Sequence, residues 1–267
     1  MTATAVRPPA VAGRFYPADP AVLAADVDRY LAEGLGEAPA PHAVVVPHAG
    51  YVYSGPVAGS AYRLVAGRAG TVERVVLVGP AHFEWVSGLA VPSAAAFDTP
   101  LGRVRVDSVA REQALAASPG VAVDDEAHQP EHSLEVQLPF LQRCLGDVPV
   151  LPLLVGHPAA ATVADLLQLW WDDPATMVVV STDLSHYEDY ATARRRDTRT
   201  AEAVVGVRPE DVGDRDACGA YALRGLLTLA GRRRAEVRLL DLRSSGDTAG
   251  PRDRVVGYGA FAVVDRP

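Results

Sequence analysis

Three short apolar runs in this chain each break abruptly into a segment that carries histidine. Ala43–Val46 leads into Pro47-His48-Ala49-Gly50, and Val75–Val78 into Gly79-Pro80-Ala81-His82. Met177–Val180 leads into Ser181-Thr182-Asp183-Leu184-Ser185-His186. Neutral imidazole and carboxylate are donors that suit iron, zinc, copper or nickel. Imidazole is also the side chain poised to move protons near neutral pH. Metal binding and acid–base work are therefore the chemistries these residues point to.

Their positions depend on the runs that precede them. Continuous apolar runs of this length read as strands buried on both faces, as in a parallel sheet. In open α/β sheets the site lies outside the carboxyl ends of the strands, so three such ends can converge on one crevice. Helical spacing is read over Ala21–Leu31, Gly55–Val65, Ala110–Ala117, Glu131–Leu145, Ala159–Trp171, Ala191–Val205 and Cys218–Leu229. Further strands are read at Ser87–Pro92, Val148–Val155, Val237–Leu242 and Val255–Val264, with a hairpin over Phe97–Val106. Strands alternating with helices predict an α/β sandwich with a largely parallel or mixed central sheet flanked by helices. With no repeat or linker in sight, residues 1–267 read as one domain.

Each candidate has a structural alternative. His48 could serve as a loop residue capping the next helix. His82 has Phe83 and Trp85 beside it, which either wall a pocket for a flat substrate or pack into the core. In Glu131-His132-Ser133-Leu134-Glu135 the two glutamates fall on one face at helical spacing. They read as an acid/base pair, as carboxylates orienting a metal-bound histidine, or as acids favoured by the helix dipole. Asp183 ends a strand three residues before His186, and its alternative is an N-cap. His42, His128 and His157 have weaker context and are assigned structural or solvent roles, although His128 is close enough to Glu131 to line a site.

Composition narrows the classes. A chain of 267 residues with net charge -8 suits a globular domain and argues against a nucleic-acid partner. Its dense basic stretches, Arg194-Arg195-Arg196 and Arg232-Arg233-Arg234, read as solvated helix ends. Met1–Pro20 lacks the charged and apolar regions of a signal peptide, and no apolar stretch is long enough for a bilayer. A cytoplasmic setting is the expectation. The two cysteines, Cys144 and Cys218, fall in separate helix-like segments, which argues against a disulfide scaffold and against a cysteine-rich zinc site.

Several segments together resemble the Memo family, described in prokaryotes as AmmeMemoRadiSam system protein B. They are Val11-Ala12-Gly13-Arg14-Phe15-Tyr16-Pro17, Pro47-His48-Ala49-Gly50-Tyr51, Gly79-Pro80-Ala81-His82, Glu131-His132-Ser133-Leu134-Glu135, Ser181-Thr182-Asp183-Leu184-Ser185-His186 and Val256-Gly257-Tyr258. That family resembles class III (LigB-like) extradiol dioxygenases, with an α/β fold and a non-haem Fe(II) site. The resemblance implies His48 and His82 as metal ligands, and His186 as an acid/base histidine with Asp183 and His132 nearby. Animal members carry a cysteine before the last strand. Here that segment is Leu242–Gly250, it holds no cysteine, and Asp247 is the expected third ligand. Fe(II) is the expected ion, with copper or zinc as alternatives. The function so implied is an oxygenase or redox enzyme acting on a small substrate, aromatic ones included. The alternative is a non-catalytic metal- or peptide-binding module that acts with a radical SAM protein.

Overall fold

A computed structural model describes residues 5–266. The ends of the 1–267 domain reading, residues 1–4 and 267, lie outside the described residues. In chain order the elements are β1 (Val6–Arg7), α1 (Pro20–Glu33), β2 (Ala43–Val46), α2 (Tyr51–Ala66), β3 (Arg74–Pro80), β4 (Leu89–Val91) and β5 (Ala96–Thr99). Next come β6 (Gly102–Arg105), α3 (Ser108–Ala117), β7 (Val121–Val123), α4 (Asp125–His128), α5 (Leu138–Leu145), β8 (Val150–Val155), α6 (Ala160–Trp171) and β9 (Thr176–Ser181). The chain closes with β10 (His186–Glu188), α7 (Tyr190–Val205), α8 (Ala220–Arg233), β11 (Glu236–Ser244), α9 (Ser245–Thr248) and β12 (Val255–Val264).

The main sheet runs β10-β12-β2-β9-β3-β8-β4-β7, with β11 also paired to β12. Its centre, β2-β9-β3-β8, is parallel. β12 joins β2, and β4 joins β8, in antiparallel fashion, so the sheet is mixed. The apolar runs are buried because both faces are covered. Val44, Val46, Val75, Leu77 and Val179 face a core shared with α1, α2 and α5. Val45, Val76, Val78, Val178 and Val180 face the opposite core, shared with α6 and α8. The Phe97–Val106 hairpin forms as β5 and β6, but it belongs to a separate small sheet with β1. No helix among the described residues is long and apolar enough to cross a membrane.

One predicted helix does not form as expected. Glu131–Leu145 is an irregular segment, then a 3-10 turn at Glu135–Gln137, then α5. Proline is favoured in a helix's first turn, where its missing N–H breaks no bond, and Pro139 stands there in α5, which begins at Leu138. The Glu131 carboxylate also turns back onto the amides of His132 and Ser133, which removes those donors from any helix. Glu131 and Glu135 do not share a helical face. The polar loop read at 124–130 holds α4, capped by Asp124 at the Ala127 amide.

Candidate metal centre

β2, β9 and β3 are neighbours with the same direction, so their carboxyl ends lie side by side. His48 follows β2, His82 follows β3, and Thr182 and Asp183 follow β9. His132, from the segment before α5, completes a histidine cluster. Ring centroids are 5.2 Å apart for His48 and His82, 5.5 Å for His48 and His132, and 4.7 Å for His82 and His132.

Hydrogen-bond partners fix which nitrogen of His48 is free. The Ser181 hydroxyl donates its one proton to the Ser133 carbonyl at 2.6 Å. It accepts from Gln137 Nε2 at 2.8 Å, an amide oriented by its second bond to the Pro47 carbonyl at 2.9 Å. Gln137 Oε1 in turn accepts from the Tyr62 hydroxyl at 3.0 Å. Ser181 can then only accept from His48 Nδ1, 2.9 Å away. The proton of a neutral His48 is on Nδ1, and the Nε2 lone pair points into the site. Burial pushes the His48 pKa well below its usual value, with the neighbouring His82 adding to the effect, so the ring is neutral.

His82 is fixed by a different device. Glu131 accepts from the His82 amide at 2.6 Å, His82 Nδ1 at 2.9 Å, the His132 amide at 2.9 Å and the Ser133 amide at 2.7 Å. Burial alone would raise this carboxyl, but the bonds from His82 and Ser133 outweigh it and bring it down to about 2. A carboxylate on Nδ1 leaves Nε2 as the donor atom, the arrangement that orients metal-bound histidine in known sites.

The third candidate donor is Cys218, just before α8. Its Sγ lies 3.2 Å from His48 Nε2. One ligand atom from each of His48, His82 and Cys218 falls within 4.8 Å of the other two. The thiol is held in place by the β9 end: the Asp183 amide donates to Sγ at 3.3 Å, and the Cys218 amide donates to the Asp183 carbonyl at 3.2 Å. The Gly219 amide donates to Thr182 Oγ1 at 2.8 Å. Burial, with the Asp183 carboxylate close by, pushes the Cys218 thiol up to about 12. A bound cation would reverse that preference, because a coordinating thiol is deprotonated outright. The residues present fit a small transition ion: two pinned imidazoles and one thiol meet where a positive charge would favour the thiolate.

Asp247, the ligand expected from sequence, is used elsewhere. It stands in the first turn of α9, where Oδ2 accepts from the Ser244 amide at 2.9 Å and the Ser244 hydroxyl at 3.0 Å. Oδ1 accepts from the Tyr190 hydroxyl at 2.5 Å. A capping box has consumed the carboxylate, and Asp247 does not reach the histidines. The signal that would have found Cys218 is its position just before Gly219 at the start of a helix, facing the strand ends. Ser181 and Gln137 lacked any sequence signal, because their role appears only once the histidine tautomer is worked out.

A cavity of about 620 Å³ opens onto this cluster. It is lined by His48, His82, His132, Asp183, His186 and Cys218, together with Phe15, Tyr53 and Tyr258. The sequence candidates His132, Asp183 and His186 are therefore brought together with His48 and His82. His186 Nδ1 donates to the Leu184 carbonyl at 2.8 Å, which leaves Nε2 as the ring's other nitrogen for a ligand. The loop that carries it is tied to β12 by Leu184 N to Gly257 O and Gly257 N to Ser185 O, both at 2.8 Å. Residue 257 must be glycine here, since a Cβ would collide with the Asp197 carboxylate. His132 is held by burial at a pKa of about 4, and its Nδ1 is buried without a hydrogen bond. Asp183 accepts the His48 amide at 2.7 Å through its side chain, while burial raises its pKa.

The remaining expectations fall outside this cavity. Phe83 lies 5.9 Å from His132, centroid to centroid, but lines a second cavity of about 400 Å³ with Trp85 and His157. Glu135 is not near the histidines' donor atoms. It pairs with Arg7 at 2.6 Å and accepts from the Tyr16 hydroxyl and the Ala10 and Val11 amides, which clips the N-terminal arm to the molecule. His42 pairs with Asp265 and stacks on Trp171, and His128 donates to the Ala90 carbonyl.

Comparison with known proteins adds lineage to this geometry. The profile of a family described as Memo-like protein matches residues 7–262. A MEMO1 family protein of Methanopyrus kandleri is 36% identical, covering 96% of this chain and 98% of its own length. Others from Pyrobaculum arsenaticum and Thermotoga maritima are 34% and 35% identical, over 96% and 94% of this chain and 98% and 97% of theirs. Among solved structures, an uncharacterized protein of Escherichia coli K12 superimposes with a TM-score of 0.53 at 14% identity. That match covers 81% of this chain and 98% of the other, and shows a shared fold.

Proposed function

The chain belongs to the Memo-like family, and we propose that it is a metalloprotein that binds a small molecule beside an ion held by His48, His82 and Cys218. The observation that carries this reading is the convergence of two imidazoles, each with Nδ1 committed to a partner, on one thiol. Fe(II) was the expectation for two histidines and a carboxylate. Replacing the carboxylate by a thiolate gives a softer set, which weights the site towards copper or zinc while imidazole still suits iron. An ion in this position would supply Lewis-acid or redox chemistry to a ligand in the cavity.

The protein's own groups support a reaction there. His186 and Asp183 both line the cavity; His186 Nδ1 is committed to the Leu184 carbonyl, and burial raises the pKa of the Asp183 carboxyl. These two would exchange a proton with a bound molecule. Phe15, Tyr53 and Tyr258 would exclude water from an apolar ligand. An oxygenase or related redox activity is the reaction class this arrangement suits best.

Metal analysis of protein purified under anaerobic conditions and reconstituted separately with Fe(II), Cu(I) and Zn(II) tests the reading. Stoichiometric binding of one ion, lost in a His48→Ala/His82→Ala double variant, is the expected result. Equal metal content in the wild type and the double variant would overturn it.

A further inference from the structure

Among the residues lining the large cavity, Arg254 is the one lysine or arginine. It is exposed, so it stands on the open side of a space whose inner end holds the buried His48. No carboxylate among the described residues pairs with it, whereas nearby Arg252 reaches Asp247 at 3.8 Å. Its guanidinium lies instead over the ring of Tyr187, 4.4 Å from the centroid. An aromatic face holds a guanidinium in position without occupying its five N–H donors.

Tyr187 reaches that position through an uncommon backbone. Its φ is 61°, in the left-handed region that disfavours a side chain, and it falls at a register shift between β10 and β12. Left-handed non-glycine residues cluster at ligand sites. The remaining walls are mostly apolar, with Phe15, Tyr53 and Tyr258 among them. The one carboxylate in the lining, Asp183, is engaged by the His48 amide. In a chain of net charge -8, an unpaired guanidinium over an apolar hollow is a local attraction and no part of a general basic surface.

We propose that the cavity takes a flat, largely apolar small molecule bearing an anionic group, a carboxylate or a phosphate, which the Arg254 fork grips while the apolar body lies along Phe15, Tyr53 and Tyr258. The inference deepens the reading of this cavity as a ligand site, but the arginine's part needs no metal. An arginine fork matches both anions with paired hydrogen bonds, and a neutral amide of the same shape cannot use it equally well.

Calorimetric titration of the full chain with benzoate, benzamide and phenyl phosphate tests this, using wild type, Arg254→Gln and Tyr187→Leu. The better of the two anions should bind wild type about tenfold more tightly than benzamide, as expected for a charge-assisted pair. Which anion wins identifies the group as carboxylate or phosphate. Arg254→Gln should erase the preference, and Tyr187→Leu should reduce it about threefold. Equal binding of all three probes by wild type would overturn the proposal. So would an anion preference that survives in Arg254→Gln, which would place the anion on the metal instead. An Arg254-dependent preference in protein that binds no metal would sustain the inference while removing the metalloprotein reading.

Discussion

Cys218 Sγ and His48 Nε2 lie 3.2 Å apart although 170 residues separate them in the chain. The contact joins the start of α8 to the end of β2, and with His82 it makes up the proposed donor set. It also separates two candidate third ligands. Cys218→Ala should abolish stoichiometric metal binding in equilibrium dialysis. Asp247→Ala should bind metal as wild type does, while losing about 1 kcal/mol of stability with its capping box. Metal loss in Asp247→Ala alone would return the ligand role to that carboxylate.

Glu131 orients His82 without itself needing to touch an ion. Glu131→Gln keeps the shape but replaces one acceptor oxygen by an amide donor, so the His82 ring and the three backbone amides lose a shared anion. Metal affinity should fall about 10–100-fold, the usual cost of losing such an orienting partner. A competition titration against a chelator measures it, and an unchanged affinity would show that His82 is held by packing alone.

Asp197 provides a pH test away from the donor atoms. It is buried, accepts the Ser185 amide at 3.0 Å, and burial raises its pKa from 3.8 to about 6. The folded state therefore binds this proton more tightly than the unfolded state does. The associated stability is fully present below about 3.8 and is lost as pH rises through about 6. Asp197→Asn keeps an acceptor and removes the ionisation. Relative to wild type, the variant should gain stability between pH 4 and 7, by up to about 3 kcal/mol at roughly 1.4 kcal/mol per unit. Parallel denaturation curves across this range would contradict the assignment.

Arg7 and Glu135 form a buried pair at 2.6 Å. Arg7→Met removes the counter-ion of a buried carboxylate that keeps its bonds from Tyr16, Ala10 and Val11, so unfolding free energy should drop by about 3 kcal/mol. Adding Glu135→Gln to that variant should recover part of the loss. Denaturant titration of the single and double variants provides the comparison.

The strands that place the site were legible because each is a continuous apolar run ending in polar residues, and Ala43–Val46 forms as read. The places of His48, His82, Asp183 and His186 beyond those strands were legible for the same reason, since the end of a parallel strand is a predictable address, whereas His132 comes from the irregular segment before α5. Cys218 was not, because it comes from a helix start whose place against β9 is set by packing of α8 under the sheet. Helical spacing over Glu131–Leu145 misled because periodicity registers side chains and misses an acid that prefers its neighbours' amides to a helix. Asp247 misled because a carboxylate near the last strand looks the same in sequence whether it caps a turn or ligates an ion.

The clip between Glu135 and the N-terminal arm bears on how the molecule comes together. Glu135 holds residues 7, 10, 11 and 16, and four residues before it Glu131 holds His82. Cys218 lies beyond all of these in the chain. Contacts of such separation are made slowly, after the entropy of closing long loops has been met. During synthesis the two histidines emerge well ahead of the cysteine, so a growing chain exposes only part of the donor set until α8 is in place. Ion capture with all three donors would thus report a chain whose most distant pieces have already met, and the metal would stabilise only the finished fold.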